Sequence, residues 1–187
     1  MKTYKVVYMV VAAVMSAAAE NLYVECENFR DLGGWIVDPH SMRQIGSSYV
    51  MAHGYGTPVK DAVTTAKFPA EGRYAVWART RNWNAVWTKG AAGRFQVLVD
   101  GKTLPAELGT LGKDWDWQLA GHVDLKAGVP VEIRLRDLTG FNGRCDALWF
   151  TTEFRRCRRT NWRRCARGRR SWGCIVSGMR GKPMTWS

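Results

Sequence analysis

From residue 21 to residue 150 the chain is cut into short runs of alternating apolar and polar residues, spaced roughly ten apart and separated by Gly, Pro, Asn and Asp. The runs are 21–29, 35–37, 48–52, 61–68, 73–81, 94–99, 121–125, 129–135 and 145–150. In the first, Leu22, Val24 and Cys26 alternate with Tyr23, Glu25 and Glu27. In 129–135, Val129, Val131, Ile133 and Leu135 share one face, and Glu132, Arg134 and Arg136 take the other. A period of two over so many short segments suits half-buried strands, and no segment keeps a helical period. Strands with one apolar face must cover that face against another layer. The expectation is therefore an all-β sandwich over 20–154.

The stretch 72–95 lies at the centre of this pattern. A strand-like run, Arg73 to Arg81, leads through a loop bearing Trp83 and Trp87 into a second strand beginning at Arg94. Asp100-Gly101 follows as a hairpin signal, and Asp31-Leu32-Gly33-Gly34 reads as a turn.

The formal charge of +12 invites a nucleic-acid reading, but its distribution argues otherwise. Residues 155–187 hold eleven Lys and Arg and no Asp or Glu; the other 17 basic residues nearly balance 16 acidic ones. The sandwich region is close to neutral, so only the tail would meet a polyanion. That tail keeps neither strand alternation nor an apolar helical stripe. Its Arg, Cys, Trp and Gly content is what GC-rich codons yield when read out of frame. Residues 155–187 are expected to be a disordered basic tail, produced by a frame slip near Phe154 that shortens a longer parent. A genuine cationic interaction segment is the alternative.

Residues 1–19 have the form of an export signal. Lys2 and Lys5 precede an apolar run, and Ser16-Ala17-Ala18-Ala19 supplies small residues for cleavage after Ala19. The run is shorter than the roughly 20 residues that span a bilayer, and no later segment is a membrane-spanning candidate. The mature protein is expected to be periplasmic or extracellular. Disulfides are permitted there. Cys26 and Cys145 lie on strands that can be neighbours, so a bridge and two buried thiols are both open. Cys157, Cys165 and Cys174 lie in the tail, and no Cys-x-x-Cys pair supports zinc.

Trp83, Trp87, Trp115 and Trp117 are the leading ligand-binding candidates. A Trp face stacks on the C–H face of a pyranose while its N–H remains available. Packing over the open end of the core is the competing role. Asp114 and Asp116 flank Trp115 and are candidates for sugar hydroxyls or for a carboxylate pair. Glu25 and Glu27 on the first strand and Asp146 on the last have the oxygen chemistry for Ca²⁺, with solvent-facing carboxylates as the plainer reading. His40, His53 and His122 are scattered, without metal-ligand spacing. No Gly-x-Ser-x-Gly, P-loop or Gly-x-Gly-x-x-Gly motif occurs, so no catalytic constellation is assigned.

Two resemblances rest on these residues. Val24-Glu25-Cys26-Glu27-Asn28-Phe29, Gly72 to Arg79, Val97-Leu98-Val99-Asp100-Gly101, Val123 to Gly128 and Cys145-Asp146-Ala147-Leu148-Trp149-Phe150 resemble the jelly-roll carbohydrate-binding modules of the galactose-binding-like type. That resemblance implies a structural Ca²⁺ held by Glu25, Glu27 and Asp146. The fuller text, including Asp31 to Trp35, Met51-Ala52-His53-Gly54, Arg79 to Trp83, Gly93 to Gly101 and Asp137 to Asp146, resembles the N-terminal β-sandwich of exported bacterial FAD-dependent oxidoreductases. In that family a flavin domain follows the sandwich, and FAD is carried onto no residue here. The reading is a noncatalytic module that binds glycan or packs against a flavin domain. The alternatives are the parent flavoenzyme activity and a cationic protein acting through its tail.

Overall fold

The computed structural model describes residues 20–84 and 91–152. Residues 1–19, expected to be an export signal, Trp87, and the basic residues 155–187 with Cys157, Cys165 and Cys174 lie outside the described residues.

Ten strands are present among the described residues: β1 (Asn21–Glu25), β2 (Trp35–Asp38), β3 (Tyr49–His53), β4 (Ala62–Lys67), β5 (Gly72–Thr80), β6 (Phe95–Val99), β7 (Lys102–Thr103), β8 (Asp116–Leu125), β9 (Pro130–Asp137) and β10 (Phe141–Thr151). They form two antiparallel sheets. One runs β2-β3-β10-β5-β8, with β1 also paired to β10; the other runs β4-β9-β6-β7.

The strand β10 organises the larger sheet. Its first half, Phe141 to Cys145, pairs with β3, and its second half, Ala147 to Thr151, pairs with β1. The opposite edge lies along β5. Side chains from both sheets meet in one core: Tyr74, Val76, Ala78, Cys145, Leu148 and Phe150 from the larger sheet, and Val97, Val99, Ile133 and Leu135 from the smaller. This is the all-β sandwich that the alternation predicts, in the jelly-roll-like form that the resemblance implies.

Several boundaries differ from the sequence reading. The strand β1 stops at Glu25, and Cys26–Asn28 form a 3-10 turn. Three-residue spacing then buries both Cys26 and Phe29, which strand alternation would not do. The strand β8 begins five residues before the predicted run, because the register with β5 shifts at Val76/Trp77 opposite Gly121 and the pairing continues past the irregularity. A Cβ on Gly121 would stand 2.7 Å from Cδ of Pro105, so the close approach there requires glycine. Val129 is 48% exposed and lies outside β9, not on its buried face. The hairpin at Asp100-Gly101 forms as expected, with φ of 51° and 74°.

The two strands flanking the Trp83 loop belong to different sheets. The stretch 72–95 is therefore a crossover from one layer to the other.

Candidate ligand-binding face

Alternation sends every second side chain of the larger sheet away from the core. Tyr23, Tyr49, Arg79, Trp117, Arg144 and Trp149 all lie on that outer side, and none belongs to the core cluster. The predicted aromatic residues fall into two groups there.

The first group gathers around Arg144. Trp83 is half-buried, and its Nε1 donates to the Phe141 carbonyl at 2.8 Å. The Arg144 guanidinium lies 5.4 Å from the Trp83 ring centre and 5.8 Å from that of Tyr49. Trp115 packs on the other ring contact of Tyr49 at 4.9 Å. The Tyr49 hydroxyl donates to Oδ2 of Asp38 at 2.7 Å. Burial, together with that hydrogen bond, pushes the Tyr49 pKa up to about 12. The tyrosine is therefore a neutral ring wall at any physiological pH.

The second group surrounds Trp117, whose ring lies 5.9 Å from both Tyr23 and Trp149, edge-on to each. The Arg79 guanidinium lies 5.9 Å from the same ring. Trp149 Nε1 donates to Oδ1 of Asn21 at 3.0 Å. Trp115 and Trp117, two residues apart, thus serve different ring groups. Asp114 is exposed, while Oδ1 of Asp116 accepts from the Trp117 backbone N–H at 2.8 Å.

Between the groups sit the three carboxylates. Asp146 is the extra residue of a β-bulge, where the β10 register with β5 shifts between Cys145 and Ala147. A bulge re-aims a side chain, and here Asp146 is held on the sheet yet fully buried. Its Oδ1 accepts from Ser47 Oγ at 2.9 Å, and its Oδ2 makes an ion-pair contact with Arg79 Nε. Arg79 also donates to the Ile45 carbonyl at 2.7 Å. Burial raises the Glu25 pKa, and the charges of Glu27 and Asp146 raise it further. Burial likewise raises the pKa values of Glu27 and Asp146. Three acidic groups crowd one site with Arg79 as the nearby cation.

The fit to a metal ion is mixed. Oε2 of Glu25 and Oε2 of Glu27 are buried without a hydrogen-bond partner, and Oδ2 of Asp146 has only Arg79 against it, which is the donor chemistry a hard cation takes. Among the described residues, however, no three His, Cys, Asp or Glu side chains are arrayed to hold one ion. Closing these oxygens around a cation requires Arg79 to leave Asp146.

The Sγ atoms of Cys26 and Cys145 are buried 3.5 Å apart, the Cys26 thiol donating a hydrogen bond to Cys145, with no disulfide between them. The two strands are neighbours as expected, but the residues stand as thiols and not as the bridge that was the alternative. Burial, with the neighbouring Cys145, pushes the Cys26 pKa up. His40 and His53 are exposed. His53 Nδ1 meets Oδ1 of Asn142 and its ring packs edge-on against Tyr55.

Tyr23, Tyr49, Arg79, Arg81, Arg144 and Trp149 were not singled out as site residues from the sequence. Their signal is the polar phase of the strand alternation, which marks the outer side without saying which strands lie next to one another.

No protein-family model matches the chain, and no curated protein is similar to it in sequence. Its fold is that of the carbohydrate-binding-module β-sandwiches. The chain is similar to a family 35 carbohydrate-binding module from Clostridium thermocellum, with a TM-score of 0.54 and 18% identity over 70% of this chain and 96% of that one. The Paenibacillus barcinonensis CBM35 gives a TM-score of 0.54 and 14% identity over 71% and 99% of the two chains. A Podospora anserina GH26-CBM35 β-(1,4)-mannanase gives 0.54 and 18% over 70% of this chain, and the chain spans only 27% of that enzyme's length. Among the described residues no helix is long and apolar enough to cross a membrane.

Proposed function

We propose that the sandwich is a noncatalytic glycan-binding module whose ligand contacts come from the outer side of the larger sheet, with Trp83, Trp115 and Trp117 as stacking residues. The observation that carries this reading is the set of half-buried rings spread across one sheet face, outside the core. Such rings offer apolar area for sugar C–H faces beside polar groups for hydroxyls. Trp87, Asp114 and Asp116 belong to the same proposal as flanking contacts.

A glycan array probed with the full chain tests it. We expect binding to a defined polysaccharide class, reduced about tenfold or more by Trp83→Ala or Trp117→Ala, since a buried aromatic contact contributes on the order of 1–2 kcal/mol. Absence of binding across the array, with the fold intact, removes the proposal in favour of a surface that packs against a partner domain.

The Ca²⁺ reading belongs here as well. Glu25, Glu27 and Asp146 would hold the ion, replacing their mutual repulsion by charge neutralisation at the junction of β1 and β10. The expected result is a rise in the melting temperature with millimolar Ca²⁺ over EDTA that Glu27→Gln diminishes. Equal melting curves in both buffers would assign the cluster to Arg79 alone.

Export follows from the composition of 1–19, and an intact mass beginning at Glu20 is its check. Parentage in the FAD-dependent oxidoreductases rests on the quoted motifs alone. In this reading the chain by itself carries no flavin, and a purified yellow protein would contradict that.

A further inference from the structure

The pairing of Cys145 with Thr80 brings Arg144 on β10 beside Arg81, which follows β5 directly. Neither guanidinium forms a hydrogen bond or an ion pair with a described residue, and the Nε atoms of both are buried without a partner. Four other arginines have a carboxylate beside them: Arg79 contacts Asp146, Arg94 pairs with Glu107, Arg134 with Glu132, and Arg136 with Asp61, while Arg30, Arg43 and Arg73 are exposed to water. The carboxylate that bears on Arg144, Asp38, is already engaged. Its Oδ1 accepts from the His40 backbone N–H and its Oδ2 from the Tyr49 hydroxyl, both at 2.7 Å.

Two like charges placed side by side, with donors withdrawn from water and no acceptor, are unfavourable in the empty protein. The site is short of negative charge. It is also shaped: Trp83 and Tyr49 flank the Arg144 guanidinium, which orients a planar donor fork. Both arginines remain partly exposed, so a ligand can reach them.

We propose that Arg81 and Arg144 form a receptor for an anionic substituent, a carboxylate or a sulfate ester, on the glycan that the module binds. This inference rests on the glycan-binding reading above and adds the charge of the ligand. An anionic oxygen pair supplies the acceptors that both guanidinium groups lack, and charge-assisted bonds of this kind are about twice as strong as neutral ones. Trp83 then offers a ring face to the sugar that bears the anion.

The test is calorimetric titration of the full chain with four short oligosaccharides: one bearing uronic acids, the same compound as its methyl ester, and a sulfated neutral-sugar oligosaccharide with its desulfated counterpart. The unmodified protein should prefer at least one charged form over its neutral partner by roughly tenfold. Whether the acid or the sulfate is preferred identifies the source of the anion. Arg81→Gln, which leaves the Tyr49–Arg144–Trp83 contacts in place, should abolish that preference while neutral binding changes by less than about twofold. Arg144→Lys keeps the charge but not the planar fork and should fall between. The basic tail is present in every variant, so a loss on substituting Arg81 is not the tail's. Equal affinity for charged and neutral forms, or a preference that survives Arg81→Gln at an unchanged melting temperature, overturns the receptor and leaves glycan binding standing. No heat with any of the compounds overturns both.

Discussion

Replacing Phe150 by alanine should destabilise the sandwich by about 3–5 kcal/mol, the range for truncating a fully buried phenylalanine. Phe150 is 0% exposed and sits in the second half of β10, with Leu22 as its partner on β1 and Val76 on β5. Its ring meets Phe68 at 5.1 Å, and Phe68 meets Tyr74 at 5.2 Å, so one removal opens a three-ring contact between the sheets. Neighbouring strands are held by backbone pairing and cannot collapse into the space. The denaturation midpoint should fall while its slope stays constant, since a core truncation changes stability and not the surface exposed. Phe150→Leu should cost less because most of the volume is kept. A midpoint shift worth less than about 1 kcal/mol would mean that the two sheets are not closed over this position.

Asp137→Ala is expected to cost a comparable amount, about 3–4 kcal/mol, by a different route. Asp137 is 4% exposed at the end of β9. Its carboxylate accepts backbone N–H groups from Val59 at 2.9 Å, Thr139 at 3.1 Å, and Gly140 at 2.9 and 3.1 Å. Alanine leaves these donors without an acceptor where water has little access, and each such loss costs about 1–3 kcal/mol. The turn is also tight against the loop ahead of β4. Gly140 has φ of 68°, and a Cβ there would stand 2.3 Å from the Thr57 carbonyl oxygen. Asp137→Asn keeps one acceptor and should recover part of the stability. Amide hydrogen exchange separates the causes: Val59 and Gly140 should lose protection before the core strands do. Equal protection in both variants would show that the carboxylate is not what holds the turn.

Much of the architecture was readable from alternation. The run Val131, Ile133, Leu135 is buried as its spacing requires, and Asp100-Gly101 makes the hairpin its residues favour. Misreadings occurred where a local irregularity interrupts the period of two. The 3-10 turn after Glu25, the shift at Gly121 and the bulge at Asp146 each move side chains between faces without an unusual residue pattern to announce it. The strand β10 begins at Phe141, four residues before the run at 145, and Phe141 is 50% exposed, so its apolar side chain does not continue the buried face.

The candidate face was less legible for the same reason. Trp83, Trp115 and Trp117 stand out by residue type alone, but their grouping depends on strand neighbours far apart in sequence. Arg144 reaches Tyr49 because β10 pairs with β3, and it lies beside Arg81 because β10 pairs with β5. Neither pairing is encoded by any local motif.

By itself the sequence determined the fold class, the approximate strands and the separation of a near-neutral body from a basic tail, because period, turn residues and charge are local properties. Only the tertiary structure decided that Asp146 meets Arg79, that the tryptophans divide into two groups, and that Arg81 lies beside Arg144. Those facts arise from which strand edges pair, and edge pairing is settled by burying both sheets against each other across the whole domain.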